Sequence, residues 1–246
     1  MQRMIWAAAA ASLALLTATP LAMAQPAPAA PQQAPDDALA NPAQYKTPEV
    51  LAFIGVKRGA RVEDVISGRF ARALSNAVGP TGHVYAFEPA EVVKLHPEVL
   101  DIISKVAALP DYHNIEVATG PFDALALPSG LDAVFIRQNY HDLHDKFMGP
   151  ADVAAFNKKV FAALKPGGVF VILDHAAPAG SGLADTDTLH RIDPAAVKSE
   201  VEAAGFVFDG SSDVLANPAD PHDKLVFDPS IRGHTDQFLF RFKKPG

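Results

Sequence analysis

Two spacings of apolar residues alternate along this chain. Short runs rich in Val, Ile and Phe predict strands, whereas apolar residues three and four positions apart predict amphipathic helices. Helical patterns lie between most of the predicted strands, which is typical of an α/β protein with a mostly parallel sheet. The predicted strands are residues 61–66, 83–87, 114–118, 131–137, 169–173, 206–215 and 237–242.

Residues 61–88 read as a strand, a glycine turn, a helix and a second strand, which is a βαβ unit of a parallel sheet. Ligands of such sheets bind at the carboxyl ends of the strands. Ser67 and Gly68 follow the first strand, and Glu88 ends the second. Glycine lets a ligand approach the backbone closely, and a carboxylate can accept hydrogen bonds from a ribose diol. The alternative is that Gly68 only makes the turn and Glu88 faces solvent.

The N-terminus predicts export. Arg3 precedes an apolar stretch, residues 5–21, and Ala22-Met23-Ala24 matches a signal-peptide cleavage site. We therefore predict a signal peptide at 1–24, cleavage after Ala24 and a periplasmic or secreted location; the alternative is an uncleaved membrane anchor. Residues 25–44 hold five prolines and seven alanines, which predicts a disordered linker before a single domain at 45–246.

Charge and cysteine content exclude several functions. The chain has 28 acidic and 21 basic residues, a formal net charge of −7, and no basic block. Nucleic acids and anionic membranes are therefore not expected as partners, and no stable membrane insertion is expected after cleavage. Because the chain contains no cysteine, disulfides and thiolate chemistry are excluded. The sequence does not indicate an oligomeric state.

Four stretches of the chain resemble class I S-adenosylmethionine-dependent methyltransferases, and more narrowly an exported bacterial family of predicted methyltransferases. They are residues 61–89; LDAVF at 131–135 followed by NYHD at 139–142; LKPGG at 164–168 with the strand that ends in Asp174-His175; and a tail that includes residues 190–193, 203–206 and RGHTDQF at 232–238. The resemblance implies a doubly wound, mostly parallel seven-stranded sheet with a Rossmann-like methyltransferase fold and an antiparallel last strand. It also implies methyl transfer from S-adenosylmethionine to a small-molecule substrate.

The resemblance also implies the site residues. Asn139 would hold the methionine amino group or the acceptor, and Tyr140 would pack on the ligand. His141 would act as base with Asp142 orienting it, and His175 would face the same cleft, although structural roles are the alternative for each. The implied cofactor-binding residues are Asp64, Ser67, Gly68, Glu88, Asp123, Asn139 and Tyr140, and the implied catalytic residues are His141, Asp142 and His175.

The chain departs from the family pattern at two places. Of the usual glycine-rich turn only Gly68 remains, followed by the bulky Arg69, and Asp123 is displaced from the end of the third strand. These departures leave open a second interpretation, in which the same fold is a non-catalytic or cofactor-exchanged binding protein.

A third interpretation is a metal-dependent hydrolase or lyase. Its ligands would be His141, His144 and His175 with Asp174, because His and carboxylates suit zinc or iron. No ligand spacing is as specific as H-E-x-x-H, so we assign no metal in the main prediction. A serine hydrolase is not expected, because the chain lacks a G-x-S-x-G elbow.

Overall fold

A computed structural model describes residues 43–68, 70–149 and 151–246. In this part of the chain a seven-stranded sheet has the order β3-β2-β1-β4-β5-β7-β6. Strands β1 to β5 pair in parallel, and β7 runs antiparallel to both β5 and β6. The predicted sheet is thus confirmed, including its antiparallel last strand. The strands are β1 (Arg61–Val65), β2 (His83–Pro89), β3 (Ile115–Gly120), β4 (Leu131–Arg137), β5 (Leu164–His175), β6 (Val207–Ser212) and β7 (Gln237–Lys243).

Helices cover both faces of the sheet. Along β4, Ala133 and Phe135 pack in one apolar cluster with α1, α2 and α4, and Val134 and Ile136 pack in the other with α5 and α7. Successive strand residues point to opposite faces, so burial on both faces explains why β4 is an almost continuous apolar run. The helices are α1 (Thr47–Ile54), α2 (Phe70–Val78), α3 (Ala90–Leu95), α4 (Pro97–Ala107), α5 (Val153–Ala163), α6 (Thr186–Leu189) and α7 (Pro194–Ala203).

The LKPGG segment belongs to β5 rather than to a turn before it. Leu164 pairs with Leu131, and after a register shift Val169 pairs with Ala133. A Cβ at Gly168 would lie 3.0 Å from the Lys165 carbonyl oxygen and 3.2 Å from that of Leu131. The irregular start of β5 therefore requires a residue without a side chain at this position.

Other differences from the sequence prediction are local. The apolar spacing in residues 89–109 predicts a helix that breaks near Pro97, and the structure confirms this break at His96, between α3 and α4. The polar segment after β4 contains a 3-10 helix, His141–His144, instead of a plain loop. The sixth strand ends at Ser212 rather than at Leu215, and α6 was not predicted.

The N-terminal predictions fall largely outside the described residues. The signal peptide lies outside them entirely, as does the predicted linker up to residue 42. Ala43–Tyr45 forms a 3-10 helix, so the last two residues of the predicted linker have regular structure. Among the described helices, none combines the length and the apolar character that a membrane crossing requires.

A buried arginine holds the long segment between β6 and β7 against the sheet. Arg191 is 0% exposed, and its Nη1 lies 2.9 Å from Asp220 Oδ2. Its Nη1 also donates to the Ala176 carbonyl, and its Nε donates to that of Lys224. Asp220 in turn accepts a hydrogen bond from the Asp236 backbone amide at 2.7 Å. This network joins the end of β5, residue 191 and the loop after β6.

Asp220→Ala should destabilise the protein strongly, because it leaves the Arg191 charge buried without a counter-charge. We expect a loss of about 3–5 kcal/mol in the free energy of unfolding, measured by urea denaturation. The control is Lys146→Ala, which removes an ion pair with Asp187 whose lysine side chain is 91% exposed. That variant should lose less than about 1 kcal/mol. Equal losses in the two variants would contradict the structural role of the buried pair.

Candidate functional site

Two cavities adjoin each other at the carboxyl edge of the sheet. One, the β1–β2 cavity, has a volume of about 450 Å³ and is lined by residues that follow β1 and end β2, together with α3 and α4 residues. The other, the histidine cavity, has a volume of about 550 Å³. The two share Val92, His96, Arg137 and Asn139 in their linings. Both volumes suit a small-molecule ligand.

The turn after β1 shapes the β1–β2 cavity. Ile66 has a φ of 53°, a left-handed conformation that is strained for a β-branched residue. The Ser67 backbone amide then donates to the Phe87 carbonyl, and its hydroxyl donates to Asp64 Oδ2 at 2.8 Å. Among the described residues other than its chain neighbours, no atom lies within 4 Å of a Cβ placed at Gly68, so these residues leave space beside its backbone. Arg69, the bulky residue that follows this turn, lies outside the described residues.

Glu88 is buried in this cavity without a complete set of partners. It is 1% exposed, and its Oε1 accepts no hydrogen bond from any described residue. Burial, assisted by the charge of Asp64, raises the pKa of Glu88 to about 9. Burial likewise raises the pKa of Asp64 to about 7, against the hydrogen bond from Ser67 and the charge of Arg137. A buried oxygen of this kind is an acceptor that a ligand hydroxyl can satisfy.

Arg137 and Asn139 lie where the two cavities meet. The Arg137 guanidinium lies 4.5 Å from the ring centroid of Tyr45 and 5.4 Å from that of Phe70. Asn139 Nδ2 donates to Asp142 Oδ2 at 2.7 Å. Arg137 was not among the residues predicted from the sequence, and its place as the last residue of the central strand β4 is the one signal in the sequence that points to it.

In the histidine cavity, Asp174 fixes His141. Asp174 Oδ1 lies 2.8 Å from His141 Nδ1, and Asp174 Oδ2 accepts from the His141 backbone amide at 2.9 Å. Asp174 thus holds the ring, the role that the sequence analysis gave to Asp142, which lies instead 3.2 Å from Nε2. Burial lowers the pKa of His141, but the carboxylates of Asp174 and Asp142 outweigh it and hold that pKa well above its usual value. This arrangement does not favour the predicted role of His141 as a general base.

His175 has the opposite environment. Its Nδ1 lies 2.8 Å from Thr235 Oγ1, and its ring lines the cavity 6.3 Å from that of His141, centroid to centroid. Burial lowers its pKa well below the usual value, and the charges of His141, Arg137 and Arg191 lower it further. His175 is therefore neutral at neutral pH. Its Nε2 makes no hydrogen bond to a described residue.

Three of the residues named from the sequence lie away from both cavities. Tyr140 is fully buried, where its hydroxyl donates to Glu200 and accepts from Asn157. His144 Nε2 faces Glu200 at 3.3 Å. Asp123 is exposed and accepts from the Asp152 backbone amide, in a separate pocket. The structure does not bring these three side chains to the site.

Solved structures of other proteins have a fold similar to that of this chain. The sequence matches no protein-family model and no curated protein. A SAM dependent methyltransferase from Aquifex aeolicus matches with a TM-score of 0.57 and 21% identity, over 84% of this chain and 95% of that one. The [4+2]-cyclase SpnF matches with a TM-score of 0.59 and 18% identity, over 82% and 81%. The YcgJ protein from Bacillus subtilis matches with a TM-score of 0.55 and 15% identity, over 82% and 99%.

The chain has the class I methyltransferase fold. At these identities the similarity shows the fold alone, and no match shows the narrower exported family. One neighbour on the same methyltransferase fold is described as a cyclase, so the fold does not by itself decide the reaction.

The raised pKa of Glu88 predicts a pH dependence of stability. In the folded protein Glu88 keeps its proton up to about pH 9. In the unfolded chain Glu88 has the ordinary pKa of 4.5 and releases the proton above that pH. The contribution of Glu88 to the free energy of unfolding is therefore fully present below about pH 4.5 and falls as the pH rises to about 9.

Glu88→Gln should reduce this loss of unfolding free energy with rising pH, by at most about 1.4 kcal/mol per pH unit. Urea unfolding of wild type and variant at three pH values across this window measures the difference. Glu202→Gln, which changes an exposed acid on α7, should keep the wild-type slope. A Glu88→Gln slope equal to that of the control would show that Glu88 ionises normally in the folded protein.

Proposed function

We propose that the protein is an S-adenosylmethionine-dependent methyltransferase that acts on a small-molecule acceptor. The observation that carries the proposal is Glu88, whose buried Oε1 lacks a partner among the described residues at the end of β2. A carboxyl group at this position of a βαβ unit serves to accept hydrogen bonds from a ribose diol. The open space beside Gly68 and the volume of the β1–β2 cavity also fit this cofactor.

The residues around the β1–β2 cavity divide the binding task. S-adenosylmethionine, when bound, supplies a methyl group activated by its sulfonium. Glu88 would hold the ribose, and the turn at Ser67 and Gly68 would lie against the methionine part of the cofactor. Asp64 and Asn139 would accept hydrogen bonds from its amino group, while the Arg137 guanidinium would pair with its carboxylate.

The histidine cavity would receive the acceptor. Apolar side chains line much of it, including Leu95, Phe147, Val226 and Phe227, and His175 supplies a polar group. This lining favours an acceptor with an apolar body and one hydroxyl or ring nitrogen. His175 Nε2 would take the acceptor's proton in the tautomer whose Nδ1–H donates to Thr235 Oγ1.

The proposal includes an exported location. Its support is the sequence of residues 1–24, in which an apolar stretch follows Arg3 and leads to the cleavage pattern Ala22-Met23-Ala24.

Calorimetric titration of the purified protein with S-adenosylmethionine and S-adenosylhomocysteine tests the cofactor. We expect micromolar binding, and loss of binding in Glu88→Ala because the ribose hydroxyls lose their acceptor. Glu202→Ala should bind like wild type. Failure of a folded sample to bind at millimolar ligand, or undiminished affinity in Glu88→Ala, would leave a different ligand on this fold as the explanation.

Release of S-adenosylhomocysteine, screened against phenols and nitrogen heterocycles, tests the acceptor. His175→Ala should keep cofactor affinity but lose about 10²- to 10⁴-fold in kcat, since no group takes the proton. Thr235→Val should lower kcat less, because it only removes the hydrogen bond that favours the His175 tautomer with an unprotonated Nε2. Wild-type turnover in His175→Ala would remove His175 from the mechanism.

A further inference from the structure

Three donor atoms in the histidine cavity form a small triangle. His141 Nε2 lies 3.2 Å from His190 Nδ1 and 3.2 Å from Asp142 Oδ1, and His190 Nδ1 lies 3.5 Å from the same carboxylate oxygen. Without a metal, the contact between the two histidines is a hydrogen bond at the long end of the usual range. A tetrahedral zinc ion with bonds of about 2.0–2.1 Å instead sets its ligand atoms about 3.3–3.4 Å apart. The triangle therefore matches one face of such a coordination shell without rearrangement.

The environment of His141 orients it toward this triangle. Its Nδ1 faces Asp174 Oδ1 at 2.8 Å, which leaves Nε2 as the atom directed at Asp142 and His190. Asp174 is fully buried and also accepts from two backbone amides, those of His141 and His175. A carboxylate on the far nitrogen of a histidine is the usual support for a metal ligand.

His190 is held in a strained conformation. Its φ of 52° and ψ of 51° are left-handed, a region that is unfavourable for a residue other than glycine. The next residue, Arg191, is anchored by its buried pair with Asp220 and by hydrogen bonds to two carbonyls. The His190 ring meets that of His141 at 90° with centroids 5.3 Å apart. The left-handed conformation ends α6, where the His190 backbone amide donates to the Thr186 carbonyl as a C-cap.

Asp145 provides an independent indication of a cation. It lines the same cavity at 1% exposure, and neither carboxylate oxygen has a hydrogen-bond partner among the described residues. The Thr186 hydroxyl is close enough to influence Asp145, yet it donates to the Leu183 carbonyl. A buried carboxylate without hydrogen bonds is costly unless a positive charge lies near it.

We propose that His141 Nε2, His190 Nδ1 and Asp142 Oδ1 bind one divalent transition-metal ion, with Asp145 beside it. Two imidazoles and one carboxylate are a donor set of catalytic zinc and of non-haem iron(II) sites, which keep a position open. A metal held by these residues would acidify a ligand hydroxyl or a water that reached it from the histidine cavity.

This ligand set differs from the one considered from sequence, because His144 and His175 are not part of it. The inference rests on the side chains of the histidine cavity and does not require that S-adenosylmethionine binds in the β1–β2 cavity.

Metal titration of the purified, chelator-treated protein tests the proposal. Zn²⁺ added in competition with a chromophoric chelator should bind one ion per chain, with S-adenosylmethionine absent. Co²⁺ should give the intense visible absorption of a tetrahedral site, a readout that does not depend on activity. Sub-stoichiometric or millimolar zinc binding by the folded wild-type protein would overturn the proposal.

Variants identify the ligands. His190→Ala and Asp142→Asn should each lower zinc affinity at least 100-fold and abolish the cobalt absorption. Asp174→Asn, which removes the charge that supports His141 but no proposed ligand, should cost about 10- to 100-fold. The matched control is His144→Gln, which alters a histidine of the same 3-10 helix outside the triangle and should bind zinc like wild type. Zinc affinity unchanged in His190→Ala, or lost equally in His144→Gln, would contradict the proposed ligands.

Discussion

The buried carboxylate of Asp174 is the interaction on which this site depends. It is the second-last residue of β5, is 0% exposed, and can remain buried only because it receives hydrogen bonds from His141 and from the His175 backbone amide. Those bonds fold the segment after β4 against the end of β5 and fix the His141 ring. The position of Asp142 and the shape of the histidine cavity follow from that contact, because Asp142 is the next residue of the same 3-10 helix.

The two cavities differ in their ionisable groups. In the β1–β2 cavity, burial raises the pKa of Glu88 and Asp64. A ligand that donates hydrogen bonds to these carboxyl groups would favour the release of their protons. In the histidine cavity, carboxylates surround His141, and neutral His175 lies across from it. Arg137 borders both cavities and influences the ionisation of Asp64 and His175. A ligand that spans the cleft would meet an acceptor-rich end and an imidazole-rich end.

The fold and the chemistry of the site are separate questions for this protein. Its structural neighbours include a methyltransferase and a cyclase at comparable TM-scores. The sheet therefore explains why a ligand should bind at the carboxyl edge, whereas the side chains decide which reaction follows. The zinc-like spacing of His141, Asp142 and His190 is an example, since the sheet order alone would not predict it.

The sequence by itself determined the seven strands, the break between α3 and α4, and the place of Ser67, Gly68 and Glu88 at one edge. These features depend on local periodicity and on the rule that parallel strands end together. Only the tertiary structure decided that Asp174 rather than Asp142 holds His141, that Tyr140 turns into the core, and that His190 reaches the same cavity. Such contacts join segments that are distant in the chain, so their distances depend on how the loops pack and not on any spacing in the sequence.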